Sequence, residues 1–385
     1  FEQHGGRIVT VSVWQEIASA PSKISHDIAV IGAGIVGSYL AGLLSKAGRD
    51  VAIIEARHPA AGASGRNAGM VLVGSRDSYS EAVNRFGRNA AQDLWKLTEE
   101  NVRTMGNIAD QFGIEHNVSG ASYIALDDNF ANILRNSADM LDQDGFDVEY
   151  VDGDPLNRGF RATLIQPSDF GTQPAELSAN LTSSSGATLY ENDEVFTIGK
   201  EGSHLVIRTR RHIVICEKAV LAVNAYAPLL DPFFQRLVEP ARGQVLVTTP
   251  LPQIIDTLGL VNQSCYFRQL EDGRILIGGG RFQHIDQERT FADGTTTNVQ
   301  GFIGNFLAKY FPESDGLVDR RWAGIHGMTN DGLPIIGRLP HQKEVYFVVG
   351  FSGHGNSMGL VAGERTVELM LNGQDPGIFN IARLN

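Results

Sequence analysis

The stretch Asp27–Ala56, "DIAVIGAGIVGSYLAGLLSKAGRDVAIIEA", decides the fold. Its opening, Asp27 to Gly32, is an apolar run of strand length. Ile35 to Gly48 then sets Leu40, Leu43, Leu44 and Ala47 at helical spacing before a terminating glycine, and Arg49 to Ala56 is a second apolar strand. Strand, helix and strand of these lengths close as a β-α-β unit whose strands run parallel. Glycines at 32, 34 and 37 fit G-x-G-x-x-G between strand and helix. Gly32 allows the tight turn, Gly34 lets a pyrophosphate approach the backbone, and Gly37 lets helix and sheet pack closely. Ile35 and Val36 open the helix, whose N-terminus turns its partial positive charge toward phosphate. Glu55 ends the second strand 21 residues after Gly34, followed by Ala56, where a carboxylate can accept both hydroxyls of an adenosine ribose. Such an acid suits NAD or FAD and repels the 2′-phosphate of NADP.

Two further segments separate NAD from FAD. "GASGRNAGM" (62–70) follows the second strand directly. Its small residues, Ser64, Ala68 and Gly69 among them, allow close approach to a large planar group, while Arg66 and Asn67 supply donors. Near the other end "GFSGHGNSMG" (350–359) opens the last predicted helix, and Gly353, His354, Gly355 and Asn356 carry backbone N–H groups suited to the electron-rich N1/C2=O edge of a flavin. A simple NAD domain has no need of this C-terminal return.

Composition narrows the class from outside. The 385 residues suggest two to three domains, and 42% hydrophobic with 20% charged residues is an ordinary globular balance. A net charge of −12 disfavours the phosphate contacts on which non-specific nucleic-acid binding depends, so no nucleic-acid partner is expected. Two cysteines, Cys216 and Cys265, cannot build a disulfide framework, and no metal-ligand spacing is present, so no metal is expected. The expected location is the cytoplasm. Apolar runs such as Ile213 to Ile215 and Val345 to Val349 fall far short of the roughly 20 residues of a membrane helix, and the segment from Phe1 lacks the pattern of a secretory leader. The 43 glycines exceed a usual share of about 7%, and twelve of them fall in the segments quoted above.

Along the chain, residues 1–25 read as an N-terminal arm, either loosely attached or packed through Trp14 and Ile17. Residues 80–112 show helical period as one long helix or two, 121–126 reads as a strand and 129–145 as a helix. "HLVIRT", "HIVIC" and "KAVLAV" look like a meander ending in a buried strand, residues 240–281 are again strand-rich, and 297–311 is an amphipathic helix.

With these motifs in place, the chain resembles the D-amino-acid-oxidase-like FAD-dependent amine and amino-acid oxidoreductases, the group of glycine oxidase, monomeric sarcosine oxidase and γ-glutamylputrescine oxidase. The resemblance runs from about residue 26 through "GASGRNAG", "GATLYENDEV", "AVLAVNAYA", "EPARGQV", "YFRQLEDGRILIGGG", "RRWAGIHGMTNDGLPIIG" and "VYFVVGFSGHG" in order. It implies an α/β fold: a Rossmann-like, GR2-type FAD-binding domain over 26–75, 166–230 and 324–385, interleaved with an α+β substrate domain over 76–165 and 231–323 on a mostly antiparallel sheet. It also implies that Val195 contacts the adenine through its backbone and that Ala222 and Asn224 lie beside the pyrophosphate.

The implied chemistry is hydride transfer from the carbon beside an amine nitrogen to flavin N5, giving an imine that water hydrolyses to a carbonyl product. The implied site is one of positioning groups. Tyr266, Arg281, His326 and His354 are the candidates for catalysis, and Arg242, Tyr266, Arg268, Arg281 and His326 for substrate binding, with structural roles open for each. An Arg242–Arg268–Arg281 cluster would favour an anionic amine, and Arg66 could meet either a substrate carboxylate or the pyrophosphate. Two departures from the family matter. Where sarcosine-oxidase relatives attach the flavin through a cysteine, this chain has Gly324, so non-covalent FAD is expected. The lysine those relatives use to promote reaction with oxygen is absent from the strand around "GRILIGG", leaving oxygen, a quinone or an electron-transfer partner as acceptor. A non-catalytic flavin-binding subunit and an NAD-dependent dehydrogenase stand as alternatives.

Overall fold

A computed structural model describes residues 21–262 and 264–384. At its centre a six-stranded sheet runs in the order Thr188–Tyr190, Val51–Ile54, Ile28–Ile31, Lys218–Leu221, Gln342–Val349, Ile335–Leu339; only the last strand is antiparallel. The expected β-α-β unit is present, with its helix at Ile35–Lys46. Ile28–Ile31 is fully buried because both faces are covered, as a parallel sheet requires. Ile28 and Val30 pack with Leu40 and Leu44 of that helix and with Met358 and Val361 of the last helix, Gly355–Asn372. Ala29 and Ile31 face the other way, toward Leu205, Ile207 and Val214.

Those last residues belong to a four-stranded sheet ordered Ser22–Ser25, His212–Cys216, His204–Thr209, Val195–Glu201. Ser22–Ser25 pairs in parallel with His212–Cys216, so the end of the expected arm is a sheet edge; Trp14 and Ile17 lie outside the described residues. The expected meander is also corrected. "HLVIRT" and "HIVIC" pair antiparallel, but Lys218–Leu221 leaves them to lie between Ile28–Ile31 and Gln342–Val349. Ala219, Val220 and Leu221 are all buried, which suits a central parallel strand rather than one with a wet face.

The second large sheet has eight strands: Val318–Met328, Glu239–Thr248, Ile275–Gly279, Cys265–Gln269, Leu258–Val261, Ala121–Ala125, Ala162–Gln166, Glu149–Val151. All neighbours are antiparallel except Leu258–Val261 with Ala121–Ala125. Strand alternation gives it two different faces. Phe267, Ile275 and Ile277 pack against Val299, Ile303 and Phe306 of the helix Thr297–Tyr310. Val245, Val247, Leu258 and Leu276, with Tyr266, turn instead toward Ala68, Met70 and Leu72. The helical stretch at 80–112 is two helices, Tyr79–Phe86 and Arg88–Phe112, divided at Gly87, whose φ of 83° breaks the helical backbone. No helix among the described residues is long and apolar enough to cross a membrane.

Candidate active site

One cavity of about 1030 Å3 connects the glycine-rich turn to the inner face of the eight-stranded sheet. That is the upper end of the usual range for small-molecule sites. Gly32, Gly34, Ile35, Val36, Glu55, Ala56, Ser64, Asn67 and Ala68 line one part of it, with Val195, Ala222 and Asn224. Gly353, His354, Gly355 and Asn356 line another.

At the turn, the backbone fixes the acid. Glu55 Oε2 accepts from the Ala33 N–H at 2.9 Å and Oε1 from the Arg57 N–H at 2.9 Å, leaving the remaining lone pairs toward the cavity. Ser64 Oγ accepts the Ile35 N–H at 3.0 Å, in the first turn of the helix. Gly37 does not line the cavity: a Cβ there would collide with the Gly32 carbonyl, so its role is close helix–turn packing. Gly69, also off the lining, has φ 70° and turns the chain against Thr172.

Asn67 and Asn356 are braces as well as lining. Asn67 Nδ2 donates to the Ala63 and Ser64 carbonyls at 3.0 and 2.8 Å, while its Oδ1 accepts from the Gly69 N–H at 2.7 Å and from Asn356 Nδ2 at 3.1 Å. The expected donor role of the Asn67 amide is therefore spent within the protein. Asn224 Oδ1 accepts the N–H groups of Gly350 and Phe351 at 2.9 and 3.2 Å, shaping the loop that delivers the last helix. Ser352 with φ 51° and Gly353 with φ 91° complete that turn. The first-turn N–H groups of a helix have no intrahelical partner, and here Gly355 and Asn356 bring them to the cavity wall.

Tyr266, Arg281, His326 and His354 all line the cavity. Tyr266 lies across Gly278, its register partner, where a Cβ would meet the ring. Burial pushes its hydroxyl up to about 12, so it remains an O–H donor. A Cβ on Gly243 would stand 2.7 Å from His326 Nε2, so that glycine gives the imidazole its room. His326 is pushed down to about 4, first by burial and then by the charge of Arg281; His354 is pushed to about 4, mainly by burial and further by Arg76. Both rings are neutral at neutral pH, and His354 Nδ1 is buried without a hydrogen-bond partner.

Neutral burial has a stability consequence. A histidine whose folded value lies near 4 and unfolded value near 6.5 binds more protons unfolded across that interval, so its protonation favours unfolding. Stability is expected to fall as pH drops from about 6.5 toward 4. Urea midpoints at pH 7 and pH 5.5, ahead of most carboxylate titration, should show it, and His326→Gln should flatten the slope.

Three arginine assignments are corrected. Arg242 Nε and Nη2 bind Glu288 at 2.6 and 3.0 Å, and neither residue lines the cavity. Arg268 Nη1 donates to the carbonyls of Gly69 and Thr172 at 3.0 and 3.2 Å; burial lowers its guanidinium to about 10 and it tethers the 69–70 turn to the sheet. Arg66 Nε donates to the Ala323 carbonyl at 3.1 Å and its Nη2 reaches Asp293 at 3.5 Å, outside the cavity. Alternation put Arg268 on the correct face of its strand, but its length carries the charge to the sheet's edge. The three-arginine cluster does not form.

Arg76 was missed. It lies in the loop after Met70–Val71 and lines the cavity, near enough to Arg281 and His354 for its charge to act on both. The sequence signal was the polar break "GSRDS" directly after an apolar run, beyond the segment taken as the cofactor contact. No lysine lines the cavity.

The site fits FAD on its own terms: an acid fixed by two backbone N–H groups beside the glycine-rich turn, a turn that a Cβ would block, and a second helix N-terminus at the far part of the same cavity. Comparison with known proteins agrees. The model of the family described as DAO, FAD dependent oxidoreductase, matches residues 27–369. The chain is 28% identical over 370 residues to a probable oxidoreductase OrdL of Rhizobium meliloti, covering 91% of this chain and 84% of that one. It is 26% identical to the γ-glutamylputrescine oxidoreductase of Escherichia coli, covering 90% and 84%. The crystal structure of glycine oxidase from Geobacillus kaustophilus superposes with a TM-score of 0.79 at 22% identity, over 93% of this chain and 99% of that one, a likeness of fold. A dinucleotide turn, a flavin-sized cavity and a family match over most of the length converge on one assignment: the chain belongs to the DAO family of FAD-dependent oxidoreductases.

Proposed function

We propose that this enzyme oxidises the carbon–nitrogen bond of an amine or amino acid to an imine, which water converts to a carbonyl compound. The observation that carries this reading is the continuity of the cavity, which runs from Glu55 and Gly34 to a wall of Tyr266, Arg281, His326 and His354. Glu55, Gly34 and the N-termini of the first and last helices would hold FAD. When bound, FAD supplies the two-electron chemistry by accepting hydride from the carbon beside nitrogen.

The chain's own residues position and select. Tyr266 offers a neutral hydroxyl donor to an acidic group of the substrate. Arg281 offers a cation. His354, neutral at the cavity wall, adds no positive charge beside the substrate amine. The N-terminus of the last helix supplies positive potential where negative charge develops on the cofactor. Non-covalent attachment belongs to the same proposal, supported by Gly324, where even a Cβ would sit 3.2 Å from the Arg66 Cβ. So do a cytoplasmic location, suited to two free buried thiols, and a two-unit division at 26–75, 166–230 and 324–385 against 76–165 and 231–323. The strand Val318–Met328 runs through the boundary at 323/324.

Anaerobic mixing of the FAD-loaded enzyme with amines and amino acids tests the reading. Bleaching of the yellow cofactor is the expected result; no bleaching by any amine would remove the redox role and favour a flavin-binding subunit. Admitting oxygen, or a quinone, then identifies the acceptor. Tyr266→Phe is expected to raise KM about tenfold, the worth of one hydrogen bond to a charged group, with a smaller change in kcat.

A further inference from the structure

We infer that the substrate's acidic groups carry two negative charges, as in an aminodicarboxylate or an aminophosphonate, and that Arg76 and Arg281 receive them. The inference rests on the proposed amine oxidation and adds the substrate class. Arg76 and Arg281 reach one cavity from different walls: the loop after Met70–Val71, and the turn after the strand Ile275–Gly279. No ion pair or hydrogen bond among the described residues engages either guanidinium. Arg281 is partly buried and Arg76 exposed; the Arg281 guanidinium is lowered first by its burial and then by the charge of Arg76.

The carboxylates whose charge reaches them, Glu288 at Arg281 and Asp77 at Arg76, are each bonded to another arginine. Glu288 is held by Arg242 and Gln244. Asp77 is paired with Arg85 at 2.8 Å and Asp293 with Arg66 at 3.5 Å. The other lining acids, Glu55 and Glu194, stand beside Ala56 and Val195 with Arg57 and Arg210. His326 and His354 are neutral and neither add to the charge nor offset it. One carboxylate engages a single arginine; a second negative charge engages both, and the planar fork of arginine suits carboxylate and phosphonate alike. Arg281 meets the first charge in the partly buried position. Arg76, more exposed, meets the second.

Equilibrium titration of the FAD-loaded enzyme with the non-oxidisable anions acetate and malonate, followed calorimetrically, reads the site without turnover. Malonate is expected to bind at least about tenfold more tightly than acetate, and Arg76→Gln to bring the two within about threefold, the scale of one charged contact. Arg281→Gln should weaken both. Neither side chain makes a hydrogen bond among the described residues, so both variants should keep the parent melting temperature. Equal binding of the two anions, or a preference that survives Arg76→Gln, overturns the inference.

Anaerobic reduction by sarcosine and N-methylaspartate separates it from the parent reading. If sarcosine reduces the cofactor as efficiently as N-methylaspartate, the dianion assignment fails and amine oxidation stands. If malonate is preferred yet no amine reduces the cofactor, the anion site stands and the redox reading fails.

Discussion

Replacing Arg242 by alanine is expected to destabilise the protein by about 3–5 kcal/mol, the cost of stripping one partner from a buried ion pair. Arg242 is 7% and Glu288 0% exposed. Burial alone would raise the Glu288 carboxyl; the hydrogen bonds from Arg242 and Gln244 outweigh it and hold the group below the usual carboxylate range. Gln244 Nε2 reaches Glu288 Oε2 at 2.8 Å, Thr296 Oγ1 donates to Oε1 at 3.2 Å, and the Arg242 N–H donates to the Glu288 carbonyl at 2.7 Å. This clamp fastens the irregular segment 281–296, which gives the cavity Arg281, Phe282, Ile285, Phe291 and Asp293. Urea unfolding measures the loss. Arg242→Met with Glu288→Met should recover much of it, because removing both charges leaves none stranded. An Arg242→Ala enzyme with parental stability and only a raised KM would return Arg242 to the substrate site and refute the clamp.

Glu55→Ala is expected to weaken FAD binding by about 3 kcal/mol, roughly a hundredfold in Kd. Two costs combine. With FAD held as proposed, the ribose hydroxyls lose a charged acceptor, and the Ala33 N–H, now bonded to Oε2 at 2.9 Å, loses its partner within the glycine-rich turn. Titrating apoprotein with FAD and following flavin fluorescence gives both constants. Glu55→Gln retains an acceptor oxygen and should fall between. An unchanged Kd for Glu55→Ala would mean that the ribose lies elsewhere, and with it the orientation of the whole cofactor.

The two experiments probe different kinds of residue, and the sequence treated them unequally. Glu55 was legible because its partners are local: a strand, a tight turn and a helix within 30 residues fix where its carboxylate can be. Arg242 was misread because its partner, Glu288, is 46 positions away in a segment with no periodic pattern. Arg268 and Arg66 failed for the same reason, each reaching a carbonyl contributed by a distant segment. Tyr266, His326 and His354, the first two named through the family resemblance and the third from its glycine-shaped helix start, all line the cavity.

By itself, then, the sequence determined the β-α-β unit and the dinucleotide turn with its acid, because strand and helix periods and short turns are written in neighbouring residues, and it carried the α/β class and the flavin family through the resemblance of its motifs. Only the tertiary structure decided which arginines are free. Arginine side chains are long, and their charge goes to whichever carboxylate or carbonyl the chain brings within reach; once Glu288 takes Arg242 and the Gly69 turn takes Arg268, Arg281 and Arg76 are left on the cavity wall. Burial does the rest, since the enclosure that keeps His326 and His354 neutral also disfavours the charge on Arg281, which no protein carboxylate bonds among the described residues.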